Sequence, residues 1–186
     1  MPKARGVKHK EENMITVRDA RPEDAEEILK IYSYYIINTA ITFECTVPDR
    51  ETFRRRMEKT LENYPYLVAE VDGKIKGYAY AGPFVGREAY SHSCTLSIYT
   101  DKSAHRCGLG RALYSEIESR LKEKGFLNLY ACIASPHEPD EYLTNDSENF
   151  HSHMGFVRVG TFHNCGCKFG RWYNMIWMEK IIGEHK

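Results

Sequence analysis

The sequence has no apolar run approaching the roughly 18–20 residues that a helical membrane span needs, so a membrane partner is not expected. It also has no net charge, 26 Lys and Arg being matched by 26 Asp and Glu. That balance argues against a binder of polyanions acting through bulk charge, and nucleic acid is not an expected partner. No secretory signal core opens the chain: residues 1–13 are basic and then acidic, and read as a disordered arm. A cytoplasmic location is therefore expected. In that setting the six cysteines, at 45, 94, 107, 132, 165 and 167, read as reduced thiols and not as a disulfide framework. A metal site is not expected either, because His163-Asn164-Cys165-Gly166-Cys167 has no second ligand pair at finger-like spacing. Two nucleotide signatures are missing: no Gly-Lys-Ser or Gly-Lys-Thr closes a Walker loop, and no Gly-x-Gly-x-x-Gly occurs early in the chain.

Aromatic residues are abundant, with 13 Tyr and 8 Phe among 186 residues. The length suits one domain with a sizeable core, placed at residues 14–182. The most informative stretch runs from Leu96 to Leu113. An apolar strand enters a polar turn, two glycines follow at 108 and 110, and Leu109, Ala112, Leu113, Ile117 and Leu121 then fall at helical spacing. The glycines thus sit where a loop becomes a helix. There the first N–H groups have no partner inside the helix, and the dipole adds partial positive charge. Arg106 and Arg111 flank the site, which suits a phosphate or pyrophosphate.

Around this stretch the pattern gives β-α-α-β-β-β-α-β-α-β-β. Ile15–Arg18 reads as a strand. Pro22 opens a helix whose apolar face is Ala25, Ile28, Leu29, Tyr32, Tyr35 and Ile36. Residues 38–47 break the period and form a loop suited to lining a pocket. Asp49 caps a second helix bearing Phe53, Met57, Leu61 and Tyr64. Tyr66–Val71 and Lys74–Ala81 flank Asp72-Gly73, a strong hairpin signal. Strands follow at Ser93–Thr100 and Asn128–Ala134, then a long loop over 135–146 and a short helix over Ser147–Met154. Phe156–Phe162 and Tyr173–Ile181 make a last pair of strands. The fold class is mixed α/β (α+β).

The stretch His105-Arg106-Cys107-Gly108-Leu109-Gly110 resembles the acyl-CoA signature of the GNAT family of N-acetyltransferases. Four further motifs are similar to its phosphinothricin N-acetyltransferase branch. They are Tyr64–Gly73, Ala79–Phe84 with Ser97-Ile98-Tyr99, Phe150–Phe156 and Gly166–Trp172. The resemblance implies a GNAT fold: a central, mostly antiparallel mixed sheet with one splayed strand pair and helices on both faces. It implies direct transfer of an acetyl group from acetyl-CoA to the primary amine of a small molecule, an amino acid or an analogue of one. A homodimer is implied as well. The cofactor-binding stretch would be Ile98, Tyr99, Thr100 and His105 to Arg111: the pantetheine arm would bond backbone groups of Ile98 and Thr100, and the pyrophosphate would lie on the N–H groups of Arg106, Cys107, Gly108, Leu109, Gly110 and Arg111.

Two positions depart from the family pattern. His105 stands where the signature has Gln or Arg, which makes one contact pH-sensitive. Thr95 occupies the place of the Glu assigned as general base, and a hydroxyl is no base near neutral pH. A water chain, Glu44, His92 or an amine of low pKa would then have to serve. His151 matches the branch's histidine and is the implied proton-handling residue. Arg87 and Tyr90 are the implied substrate contacts, Arg87 as a two-pronged carboxylate grip, with Phe43 and Glu44 on the acceptor side. Thr95 also motivates a second reading, an acyl-CoA-binding relative that transfers poorly and acts as a sensor or partner module.

Overall fold

The structure is a computed structural model and describes residues 14–104 and 107–186. The expected arm over 1–13, His105 and Arg106 lie outside the described residues. Seven strands form one sheet: β1 (Ile15–Asp19), β2 (Tyr66–Val71), β3 (Lys74–Pro83), β4 (Ser93–Thr100), β5 (Asn128–Ser135), β6 (Val157–Lys168) and β7 (Arg171–Ile181). Their order across the sheet is β1-β2-β3-β4-β5-β7-β6. Every neighbouring pair is antiparallel except β4 and β5. Among the described residues four α-helices pack on it: α1 (Ala25–Asn38), α2 (Arg50–Leu61), α3 (Leu109–Glu123) and α4 (Asp146–His153). This is the mixed α/β architecture expected from the alternating patterns.

The two faces of the sheet carry separate cores. On one face α3 buries Leu109, Leu113, Tyr114, Ile117 and Leu121 against Leu67, Leu96, Leu129 and Met178. On the other, α1 and α2 bury Ile28, Ile31, Tyr35, Phe53 and Met57 against Val68 and Tyr78. Alternation along β2, β3 and β4 sends successive side chains to opposite faces, so one strand feeds both cores. Strand β3 begins after the Asp72-Gly73 turn, where both residues have positive φ, +51° and +72°. The capping prediction for α2 also stands, since the Asp49 carboxylate accepts from Thr52 N at 2.8 Å.

The last hairpin is longer than its pattern suggested. β6 continues through Lys168 and β7 starts at Arg171, so the stretch expected as a connection between strands is itself strand around a turn at Phe169-Gly170. The reason is a bulge. Register jumps from Phe162↔Met175 to Gly166↔Tyr173, and the inserted residues interrupt the period-2 reading. Asn164, at φ +49°, is held there by the side chain of buried Asn174, which accepts from its N–H at 2.9 Å.

Candidate active site

Strands β4 and β5 run parallel for three registered pairs only, Ser93↔Asn128, Cys94↔Leu129 and Thr95↔Tyr130. Beyond Thr95 the two strands diverge. Backbone groups on that edge of β4 lose their ladder partners at the point where β4 heads for the start of α3, which leaves them to a ligand or to water. A cleft of about 50 Å³ opens between the strands, walled by Leu96, Ser97, Ile98 and Tyr99 on one side and by Ala131–Ala134 on the other. Ile41, Ser147 and His151 complete its lining.

At the far end of β4 the chain turns tightly. Asp101 receives Lys76 Nζ at 2.9 Å and Ser103 N at 2.8 Å, which fixes the 3-10 turn over Lys102–Ala104. These partners hold its carboxyl down at about 2, against the desolvation that opposes them. Gly108 then caps α3 with φ +88°, in left-handed conformation, and its carbonyl accepts the first helical bond from Ala112 N at 3.0 Å. The N–H groups of Gly108 through Arg111 therefore precede the helical ladder and face outward as donors. Gly110 has a separate reason to lack a side chain. A Cβ there would stand 2.8 Å from Cε2 of Phe150, which seats α4 against the first turn of α3.

His151 lies on α4, buried, with both ring nitrogens engaged. Nδ1 lies 2.7 Å from the Ser147 carbonyl, so it carries the proton and donates. Nε2 then accepts from the Tyr114 hydroxyl at 2.7 Å. Burial lowers the imidazole pKa to about 4 despite the bond to Ser147, so the ring is neutral near pH 7. Tyr114 is fully buried, and its phenol is pushed upward by desolvation. In this arrangement the proton-handling role expected of His151 has no open nitrogen. It reads instead as a wall of the cleft, braced from behind by Tyr114.

The opposite face of the sheet beside the cleft is rimmed by three loops. Residues 39–49, between α1 and α2, cross the β6–β7 hairpin. Buried Lys168 donates to the Thr42 carbonyl at 2.8 Å, and the Phe43 ring sits so close over Gly166 that a Cβ there would collide with it. Phe84 stacks on Tyr130 with ring centroids 4.1 Å apart, and Tyr90 meets Phe84 edge-on. The third loop, 136–145, is tied down by Asp140, which takes Arg171 and the Tyr173 hydroxyl on one oxygen and two backbone N–H groups on the other.

A family model described as an acetyltransferase (GNAT) domain matches residues 17–177. The chain belongs to the GNAT acetyltransferase family. It is 34% identical over 168 residues to a phosphinothricin N-acetyltransferase of Alcaligenes faecalis, covering 90% of this chain and 82% of that protein. Two crystal structures share the fold closely. A GNAT superfamily phosphinothricin acetyltransferase from Sinorhizobium meliloti, in complex with acetyl-CoA, superposes with a TM-score of 0.83 at 33% identity over 91% of this chain and 89% of that one. A ribosomal-protein-alanine N-acetyltransferase from Brucella melitensis gives 0.81 at 33% identity, over 90% and 99%. This GNAT protein is an N-acetyltransferase, and the reading of a binding module that transfers poorly is not favoured.

Within the acetyltransferase the expected site residues divide into groups. Ile98 and Tyr99 line the cleft, while Thr100 gives its carbonyl to the Tyr35 hydroxyl at the end of β4. Cys107, Gly108, Leu109, Gly110 and Arg111 form the entry to α3. Thr95 sits at the last registered pair, its hydroxyl donating to the Gly82 carbonyl at 3.3 Å. Tyr90 is carried toward that pair through Phe84 and Tyr130, and Arg87 leads into its turn as an exposed side chain. His92 is drawn the other way, its Nδ1 lying 2.9 Å from the Gly125 carbonyl beyond the far end of α3, which removes it from the alternatives for the base. Among the described residues no group of three His, Cys, Asp or Glu side chains is placed to hold a metal.

The contacts made by Tyr114, Phe150, Lys168 and Arg56 are not among the sequence expectations, although Phe150 and Lys168 lie within the motifs quoted above. Tyr114 was legible, since it lies three and seven residues before Ile117 and Leu121 on the buried face of α3. The partners of the others lie far off in sequence, and no local pattern points to them.

Proposed function

We propose that the chain, as one acetyltransferase domain over residues 14–182, carries an acetyl group from acetyl-CoA to the primary amine of an amino acid or a close analogue. The observation that carries this reading is the divergence of β4 from β5 directly before the glycine-capped start of α3. Open backbone groups along β4, from Leu96 to Tyr99, suit the two amides of a pantetheine arm. The N–H groups of Gly108 to Arg111 suit a pyrophosphate, and positive φ at Gly108 turns the chain into that position. Acetyl-CoA supplies the activated thioester. The protein's share is to hold the arm straight, shut water out of the cleft with Ile41 and His151, and present the amine from the opposite face.

Three anchored loops rim that acceptor face, which supports a small substrate over the chain terminus of a folded protein. Arg87, exposed and at the edge of the Phe84–Tyr90 loop, is proposed to grip the substrate carboxylate, with Tyr90 and Phe43 as walls. A homodimer is proposed from the sheet-edge strand β6, whose Val157, Val159 and Phe162 are exposed. No helix among the described residues is long and apolar enough to cross a membrane. Free thiols at all six cysteines support the proposed cytoplasmic setting, with neither nucleic acid nor membrane as partner.

Substrate class is tested by steady-state release of free CoA across the twenty L-amino acids, phosphinothricin and an alanine-ended peptide. Amino acids or phosphinothricin are expected to lead the panel. A lead by the peptide would move the substrate class to protein termini.

A further inference from the structure

Among the described residues a single buried side-chain oxygen or nitrogen lacks a hydrogen-bond partner, and it is Oε2 of Glu44. Its carboxylate is otherwise well held. Oε1 pairs with Arg56 Nη1 at 2.6 Å, and the Glu44 N–H donates to Thr42 Oγ1 at 3.3 Å. The loop beneath is pinned twice, by Lys168 on the Thr42 carbonyl and by Phe43 over Gly166. Such anchoring leaves little freedom for Oε2 to find a partner elsewhere. An acceptor with charge and no donor is costly to keep, so its retention calls for a partner that comes and goes.

The position indicates that partner. Thr42 Oγ1, which takes the Glu44 N–H, also meets the Tyr32 hydroxyl at 3.0 Å, and the Tyr32 ring packs edge-on against Tyr99 with centroids 5.0 Å apart. Tyr80 is the register partner of Ser97 across β3 and β4, and both Ser97 and Tyr99 are walls of the cleft. Glu44 therefore stands on the acceptor face, one side chain removed from the strand along which the thioester would lie. Oε2 itself is buried, while the side chain as a whole is about one-third exposed.

We infer that Glu44 is the general base of the transfer, Oε2 taking a proton from the substrate ammonium. This inference rests on the acetyltransferase reading above. In the step, R–NH3⁺ gives one proton to the carboxylate, and the freed lone pair attacks the thioester carbon. The C–N bond forms as the C–S bond breaks, the second proton passes from nitrogen to the departing thiolate, and Glu44 later returns its proton to solvent. Arg56 and Lys168 are positioning residues, since they hold the carboxylate and its loop.

The experiment compares wild type with Glu44→Gln for acetyl-CoA affinity and for kcat/KM against pH, using the L-amino acids and phosphinothricin as acceptors. Acetyl-CoA affinity is expected within about twofold of wild type. At pH 7 kcat/KM is expected to fall about 100-fold or more, and then to climb about tenfold per pH unit toward the pKa of the amine, because only amine already neutral in solution can react. A Glu44→Gln profile parallel to that of wild type, or a loss below about threefold at pH 7, overturns the inference while leaving the transferase reading intact. Wild type without amine-dependent CoA release overturns both. Should Glu44→Gln fail to fold, Glu44→Asp is read in the same way. A base drawn back by one methylene steepens the profile, and a merely structural carboxylate leaves its shape unchanged.

Discussion

The Tyr114 hydroxyl donates to Nε2 of His151 at 2.7 Å, and the Ser147 carbonyl holds the other ring nitrogen. The Ser147 carbonyl thus fixes the tautomer, and with the α3 hydroxyl it fixes the orientation of an α4 side chain that lines the cleft. The neutral ring is favoured by burial, which lowers its pKa from 6.5 to about 4.

That shift has a definite sign in stability. The folded protein binds the His151 proton more weakly than the unfolded chain, so acid favours unfolding. The contribution is fully present above about pH 6.5 and is lost as pH falls through about 4, amounting to about 3 kcal/mol if His151 acted alone. Thermal melting of wild type and His151→Gln between pH 7 and 4 checks this. The variant is expected to melt lower at pH 7 and to show a shallower fall toward pH 4.

The two glycines at the start of α3 are expected to fail differently. Gly108→Ala forces an L-residue into φ +88°, at about 1–2 kcal/mol, and displaces the N–H groups beside it. Gly110→Ala leaves the backbone comfortable but drives a methyl into the ring of Phe150. Isothermal titration with acetyl-CoA should show weaker binding for both. Phe150→Ala, by removing the ring edge, should restore affinity to Gly110→Ala and leave Gly108→Ala impaired.

On the acceptor side the prediction separates the two substrates. Gly166→Ala meets the Phe43 ring and lifts the loop that carries Glu44. The KM for the amine should rise about tenfold or more while acetyl-CoA affinity holds, because of the residues that line the β4–β5 cleft only Ile41 belongs to the displaced loop. Equal losses for both substrates would show that the loop and the cleft move together.

Thr95 offers a complementary gain of function. It ends the registered part of β4, beside the point of splay. Thr95→Glu in the Glu44→Gln background is expected to recover about tenfold in turnover at pH 7, with the pH profile moving back toward that of wild type. If neither changes, that position does not reach the amine.

Much of this was legible in the sequence because the decisive features are local. The glycine-capped helix start, the Asp72-Gly73 hairpin and the Asp49 cap each depend on residues a few positions apart. The anchors of the acceptor side do not. Lys168 reaches Thr42 across 126 residues of sequence, and Tyr114 meets His151 across 37. Arg56 stands 12 residues beyond Glu44, on the next helix, and only the folded loop shows that it holds the carboxylate. The β6–β7 hairpin was underestimated for a related reason, since a bulge erases alternation where the strand continues.

Direct transfer between two bound substrates is the central claim, and product analysis after mixing the protein with acetyl-CoA and L-amino acids or phosphinothricin tests it most directly. Mass spectrometry should show one N-acetylated amine formed for each free CoA released, with no acetyl group left on the protein. CoA release that ignores the amine, or an acetylated protein that persists when the amine is withheld, would contradict it.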